Sequence, residues 1–395
     1  MLVTNSLLWV LGLLAILGPF GTDVYLPAMP QMAHAMHTVP SGIQLVITAF
    51  SIGMAVGQLI MGPLSDAIGR RPLLIAGPTL MAAACIASAS ANSLTLLLLS
   101  SALIGIAACA GMVVGRAQIS DLATDGAAAR GFAIMGIVTG IGPVIGPVGG
   151  GLLLGVTDWR GIYIAMAIFA AALAVLALFK VPESLGKEKR HSGGLKKLFN
   201  ASGQIIRNRT FILHAVMLWG SFSMLIGYIS ASPFIAEKLL GIPPFWYTID
   251  FAFNGVLMII TGAISAALME KVGPRRQAKI GVAMQVTAAL ILAAAVLTNN
   301  VNPYTVFTAF ALIPASLSFM FGPVTALGLK EVRHLAGTAL ALMGAIQFIL
   351  GGVVATLVGM AGEKAVWPLS INLAFWSVVS LLALSATRAS KNRAE

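Results

Sequence analysis

Twelve apolar runs, each long enough to cross a lipid bilayer, constrain this chain more than any other feature. A helical span needs about 20 apolar residues to cover a hydrocarbon core of about 30 Å. On that measure the sequence predicts spans near 6–28, 42–63, 73–92, 94–117, 131–154, 160–180, 211–233, 247–269, 278–298, 303–328, 336–360 and 366–386. In lipid only helices and closed barrels satisfy every backbone polar group, and runs of this length read as helices. The expected fold is therefore an all-α polytopic membrane protein. Composition agrees: 58% of the residues are hydrophobic and 9% charged, where a soluble domain carries about 25% charged residues.

The formal net charge of +11 raises nucleic acid as a partner, and the placement of the charges excludes it. Binding of that kind gathers cations on one folded face, whereas these fall in short gaps between apolar runs. Their asymmetry sets orientation instead. Arg70, Arg71, Arg130, the stretch from Lys187 to Arg209, then Lys271, Arg275, Arg276, Lys279, Lys330, Arg333, Arg388, Lys391 and Arg393 fall in alternate gaps. The other gaps hold Arg160, Lys238 and Lys364. Both termini are thus expected in the cytoplasm. The opening MLVTNS has no basic leader, so the first apolar run is expected to be a span and not a cleaved signal. Cys85 and Cys109 each lie inside an apolar run and read as small packing residues. His34 and His37 are a weak metal signal, and surface residues are the expectation; no metal or cofactor is called for.

The longest hydrophilic stretch divides the spans six and six. The expected organisation is an N-terminal six-helix bundle at 1–181, a linker at 182–210 and a C-terminal six-helix bundle at 211–395. Within the linker, GLKKLFNASGQIIRNR reads either as an amphipathic helix on the anionic inner leaflet, with Leu195, Leu198 and Phe199 on one side, or as a solvated connection. The halves echo one another: Glu270, Gly273 and Arg275 follow Asp66, Gly69 and Arg71 at a constant offset of 204 residues, a weak internal symmetry of the sort duplicated transporters show.

Three stretches carry chemistry. GPLSDAIGRRP, Gly62 to Pro72, joins spans two and three. Gly62 permits close helix approach, Gly69 breaks the helix, and Asp66 and Arg70 are placed to bond across the turn, with Arg71 beside them. GIVTGIGPVIGPVGGG in span five carries Gly136, Gly140, Gly142, Pro143, Gly146, Pro147 and Gly150. Its glycines admit neighbouring helices, its prolines remove backbone donors, and its spacing misses a nucleotide-binding loop. GTDVYLPAMP near the end of span one holds Asp23, an acid well within a span. A charge there is costly by at least a few kcal/mol, so the side chain should face water or hold a proton. The proton-site reading stands beside a plainer one, a polar residue near the outer interface bonded to Tyr25 or to backbone freed by Pro27.

These stretches resemble the motifs of the major facilitator superfamily. GPLSDAIGRRP resembles its loop between spans two and three. There the acid meets the N-terminal dipole of a helix in the other half, and joins the motif's second arginine and an acid ending span four. Asp121, with Arg116 nearby, is the matching candidate for that last acid. Ala67 departs from the pattern, standing where an arginine commonly follows the acid, and a loop that only sets topology is the alternative. The span-five stretch is similar to the GxxxGPxxG motif of the antiporter branch. DxYLPAxP, together with AGTALALMGAIQF from Ala336, resembles the Bcr/CflA branch of bacterial drug:proton antiporters, whose members export bicyclomycin, chloramphenicol-type drugs or sulfonamides, some relatives handling nucleosides. Ser101, Ile104 and Gly105 replace the RxxQG pattern of span four in related antiporters, which leaves proton coupling to Asp23 or to Arg116.

The resemblance implies two pseudo-symmetric six-helix bundles in the bacterial inner membrane. It implies a monomer that exports a small amphipathic compound in exchange for protons, with the bilayer as its other partner. Candidate substrate contacts are Tyr25, Trp219, Phe222, Tyr228, Asn254, Phe319 and Gln347, chosen as aromatic or polar side chains within spans; each could instead pack or face lipid. A dedicated metabolite carrier, for instance of nucleosides, is the alternative on the same scaffold, and a non-transporting sensor or scaffold the alternative of another class. The spans offer no nucleophile–base set, metal cluster or phosphate loop, so an enzyme is not expected.

Overall fold

The computed structural model describes residues 5–122, 125–190, 202–332, 335–361 and 364–392, the side chains at 40, 125–130, 133, 189, 270 and 388–392 excepted. The first half of the expected surface helix, 194–201 with Leu195, Leu198 and Phe199, lies outside the described residues, as do the side chains of Arg130 and Glu270, and the second half is helical over 202–207. Among the described residues the chain is helical with no strand, and it holds 12 helices apolar and long enough to span a bilayer. They are spans one to twelve: Asn5–Ala35, Ser41–Ile68, Arg70–Ala89, Leu94–Leu122, Ile134–Leu154, Trp159–Lys180, Arg209–Leu239, Pro244–Met269, Pro274–Leu297, Pro303–Lys330, Ala336–Gly359 and Val366–Thr387. Several outrun their predicted ends. Span one is the largest case: Pro27 and Pro30 interrupt the helix without ending the span, which continues through a 3₁₀ turn at Leu26–Ala28 into Met29–Ala35.

The chain divides into two compact units, Met1–Leu198 and Phe199–Glu395. In the first, span one lies against span five, span two against span four, and span three against spans four and six. Lipid tails are as apolar as leucine, so burial alone does not hold such helices together; close packing through small residues does. Spans two and four show it. A methyl group on Gly53 would strike the Ala102 carbonyl, and one on Gly105 would strike the Phe50 carbonyl. Cys109 packs beside Gly57, its thiol 3.1 Å from the Met54 carbonyl, and both cysteines are free and buried.

In the second unit span seven is the central helix, packed on spans ten, eleven and twelve, while span nine lies on ten and twelve. The buried core shared by spans seven, ten and eleven includes Phe211, Leu218, Trp219, Met320 and Met343. Spans begin on side chains that accept from the orphan N–H groups of a first turn. Ser93, Asp158 and Asn208 do so, and Asn302 forms a full capping box with Thr305.

Candidate functional site

The turn between spans two and three is built around one guanidinium. Gly69, at φ +107, ends span two, and the chain re-enters a helix at once with Arg70. Arg70 is 8% exposed. Its Nε donates to Oδ2 of Asp121 at 3.0 Å, and its Nη1 reaches Oδ1 of Asp66 at 2.5 Å and also Oγ of Ser65. Asp66, Arg70 and Asp121 are thus brought together as the motif implied. Arg71 lies outside the cluster and donates to the Leu178 carbonyl at 2.9 Å. Gly62 faces Val113, whose nearest atom would lie 3.9 Å from an added methyl.

The sequence reading missed the segment that closes this cluster. After span six, Glu183 Oε1 accepts from the backbone N–H of Arg70 at 2.9 Å and from that of Leu185 at 3.0 Å. Its other oxygen pairs with Arg190 at 3.5 Å. Ser184 donates to Asp121 at 3.0 Å, and Gln118 donates to the Pro182 carbonyl at 2.7 Å. A carboxylate at the first N–H of span three sits where the helix dipole favours it. The signal was an acid and a hydroxyl directly after Pro182, read there as linker.

Asp23 occupies the end of a short helix, Leu17–Asp23, and is 3% exposed. The span-five motif explains its seat. Gly142, Gly146 and Gly150 recur every fourth residue and so line one helix face. Methyl groups there would meet Pro19 at 2.7 Å, Asp23 Cβ at 3.1 Å and the Val24 carbonyl respectively. The stripe therefore lets the kinked end of span one lie directly on span five. Pro143 and Pro147 sit within that helix, Gly140 is half-buried, and Gly136 has nothing within 4 Å of an added methyl. Among the described residues no cation pairs with Asp23. Tyr25 is stacked on Tyr163 at 5.6 Å, and among the described residues its buried hydroxyl has no hydrogen-bond partner; of the two bonds in the plainer expectation, the one from Tyr25 to Asp23 is not made.

Arg116 is not brought to either group. It is exposed and forms no ion pair among the described residues. Its neighbour Gly115 lies against Leu11, roughly 18 Å along span one from Asp23 at 1.5 Å per residue. A direct Asp23–Arg116 couple is ruled out by that separation, and Arg70, not Arg116, holds Asp121.

Of the substrate candidates in the second unit, Tyr228 and Asn254 meet: Asn254 Nδ2 donates to the Tyr228 hydroxyl at 3.2 Å. Trp219 is 8% exposed and donates to the Met343 carbonyl at 3.0 Å. Phe222 packs edge-on to Phe348 at 5.0 Å and near Gly351. Gln347 lies between Met343 and Gly351 on the same face of span eleven, since four-residue steps share a face. Phe319 is buried in span ten. A further residue was missed: Asp250, hydrogen-bonded to Asn254 at 3.1 Å. It falls inside the predicted span 247–269 and sits six residues into the helix, which begins at Pro244.

A family model described as Major Facilitator Superfamily matches residues 11–356. Over 383 residues the chain is 30% identical to an uncharacterized MFS-type transporter, YdgK, of Bacillus subtilis, covering 96% of this chain and 94% of that one. It is 25% identical to a bicyclomycin resistance protein homolog of Haemophilus influenzae, at 94% coverage of each. It is 26% identical to multidrug resistance protein D of Escherichia coli, covering 95% and 94%. These names agree with the resemblance to the Bcr/CflA branch. A crystal structure of a D-xylose-proton symporter shares the fold at 16% identity and a TM-score of 0.75, covering 94% of this chain and 96% of that one. A bacterial homolog of the lysosomal transporter Spinster does so at 15% and 0.70, covering 98% and 95%. With a matching family model over most of its length and twelve spanning helices, this chain belongs to the major facilitator superfamily, a membrane transporter and not an enzyme.

Proposed function

We propose that this transporter is a proton-coupled exporter of small amphipathic compounds of the chloramphenicol and bicyclomycin type, working by alternating access. The observation that carries the reading is the seat of Asp23: a buried acid with no paired cation among the described residues, held on the glycine stripe of span five. A carboxyl so placed gains by holding a proton, and a bound substrate that favours the other conformation shifts the equilibrium only by its differential affinity. Proton and substrate binding to opposite states is then sufficient for exchange. The resistance names of relatives aligned along nearly the whole chain support the substrate class.

In this scheme the Arg70 cluster, with Gly62, Asp66, Gly69, Arg71 and Asp121, acts as a conformational latch. Tyr25, Trp219, Phe222, Tyr228, Asn254, Phe319 and Gln347 supply contact surface for substrate. The protein acts as a monomer in the bacterial inner membrane with both termini in the cytoplasm. The test is export by cells and by proteoliposomes. Expression should raise tolerance to chloramphenicol or bicyclomycin, and adding that compound outside proteoliposomes holding an acid-inside gradient should release protons outward as the compound enters. Unchanged tolerance across the panel, with no proton flux, contradicts the assignment.

A further inference from the structure

Span eight carries an acid that the scheme above leaves unused. Asp250 stands about 9 Å along the helix from Pro244, at 1.5 Å per residue. Its Oδ2 accepts from Asn254 Nδ2 at 3.1 Å, and the same Nδ2 donates to the Tyr228 hydroxyl at 3.2 Å. Asn254 is 2% exposed, and its Oδ1 is buried with no partner among the described residues. Rings wall the cluster: Tyr228 lies 5.5 Å from Phe251 and 4.8 Å from Phe310. One turn back from Phe251, Tyr247 is fully buried, with its hydroxyl 3.1 Å from Ser232 Oγ.

No cation balances this carboxylate among the described residues. Of the elements around it, span seven presents the Tyr228 phenol and the Ser232 hydroxyl, span ten presents Phe310, and its own helix presents Asn254 and Tyr247. The charges at the end of span seven, Glu237 and Lys238, lie beyond Ser232. Counting residues from the Ser232–Tyr247 contact puts Glu237 about 12 Å from Asp250 along the two helix axes. A half-buried acid in this setting is either hydrated or protonated.

We propose that Asp250 is a second proton-binding carboxylate of the transporter, seated in the C-terminal unit and served by the Asn254–Tyr228 pair. The proposal rests on the proton-coupled reading above and deepens it. The side chains satisfy both states. Ionised, Asp250 accepts from Asn254 as seen here. Protonated, it donates to Asn254 once the amide turns over and presents its orphaned Oδ1, and the Tyr228 hydroxyl donates or accepts as required. The proton comes from water and returns to water, with no other bond made or broken. Two acids, one in each unit, give two protons per cycle. A monocation exported against two protons moves net charge, so the membrane potential assists it, at about 2.3 kcal/mol per net charge per 100 mV.

Infrared difference spectra of the purified full-length protein between acid and alkaline pH test this without any substrate, by reading the C=O stretch of protonated carboxyls. Asp250→Asn should remove one such band, Asp23→Asn a different one, and the double variant both. A folded Asp250→Asn protein whose spectrum matches wild type overturns the proposal. If that variant does not fold, Asp250→Glu keeps the acid and should displace its band; an unmoved spectrum overturns the proposal equally. Failure of the parent reading looks different: the band assigned to Asp23 is missing while the Asp250 band is present.

Discussion

At Gly150 a methyl group would fall on the Val24 carbonyl, while at Gly136 it would meet nothing. The two glycines belong to one motif and do different work. Overpacking of this kind costs about 1–3 kcal/mol, and an unopposed surface change stays within about 0.5 kcal/mol. Gly150→Ala is therefore expected to lower the thermal unfolding midpoint in detergent and Gly136→Ala to leave it unchanged; equal effects would show that the stripe does not seat span one. Backbone strain separates a second pair. Gly69 and Gly273, related by the offset of 204 residues, both hold positive φ, +107 and +78, at the break between two spans. Alanine at either position is strained by about 1–3 kcal/mol. Only at Gly69 does the new methyl also collide, with the Glu183 carboxylate. Gly69→Ala should therefore destabilise more than Gly273→Ala in the same assay.

At the scale of elements, Arg70 ties the ends of spans two, three and four to the segment after span six. Its two ion pairs differ in exposure: the Asp66 side chain is 49% exposed, that of Asp121 25%. Exposed pairs contribute about 0–1 kcal/mol and are screened by salt. We expect Asp66→Asn to cost under about 1 kcal/mol, fading at high salt. Asp121→Asn, which also disturbs the Ser184 bond, should cost roughly 1–2 kcal/mol with little salt dependence. Unfolding at low and high ionic strength checks both. Much of this element was legible, because a turn of eleven residues with an acid and a guanidinium four apart can fold few ways. Glu183 was not, since its role depends on the chain returning after 113 residues to the start of span three. Local spacing carries no trace of such a return. Asp250 escaped for another reason: a start at residue 247 left it three residues from the edge of its span, where the helix from Pro244 sets it six residues in.

Across the whole molecule, span number and membrane class followed from run length, because lipid leaves no alternative to a satisfied backbone. The substrate contacts were far less legible. Aromatic residues in apolar helices pack and bind with the same chemistry, so Trp219 and Tyr228 could not be distinguished until their partners, Met343 and Asn254, were seen. Orientation rests on the distribution of lysine and arginine. Reporter fusions after residue 186 and after the last residue should both report cytoplasm, and a periplasmic signal from either would reverse the topology. The central claim, that Asp23 couples proton movement to export, is tested most directly by chloramphenicol transport in proteoliposomes under an imposed pH gradient. Wild type should move the drug against its gradient, and Asp23→Asn should lose that driven transport while still exchanging labelled for unlabelled drug. Gradient-driven transport by Asp23→Asn at the wild-type rate would contradict the account.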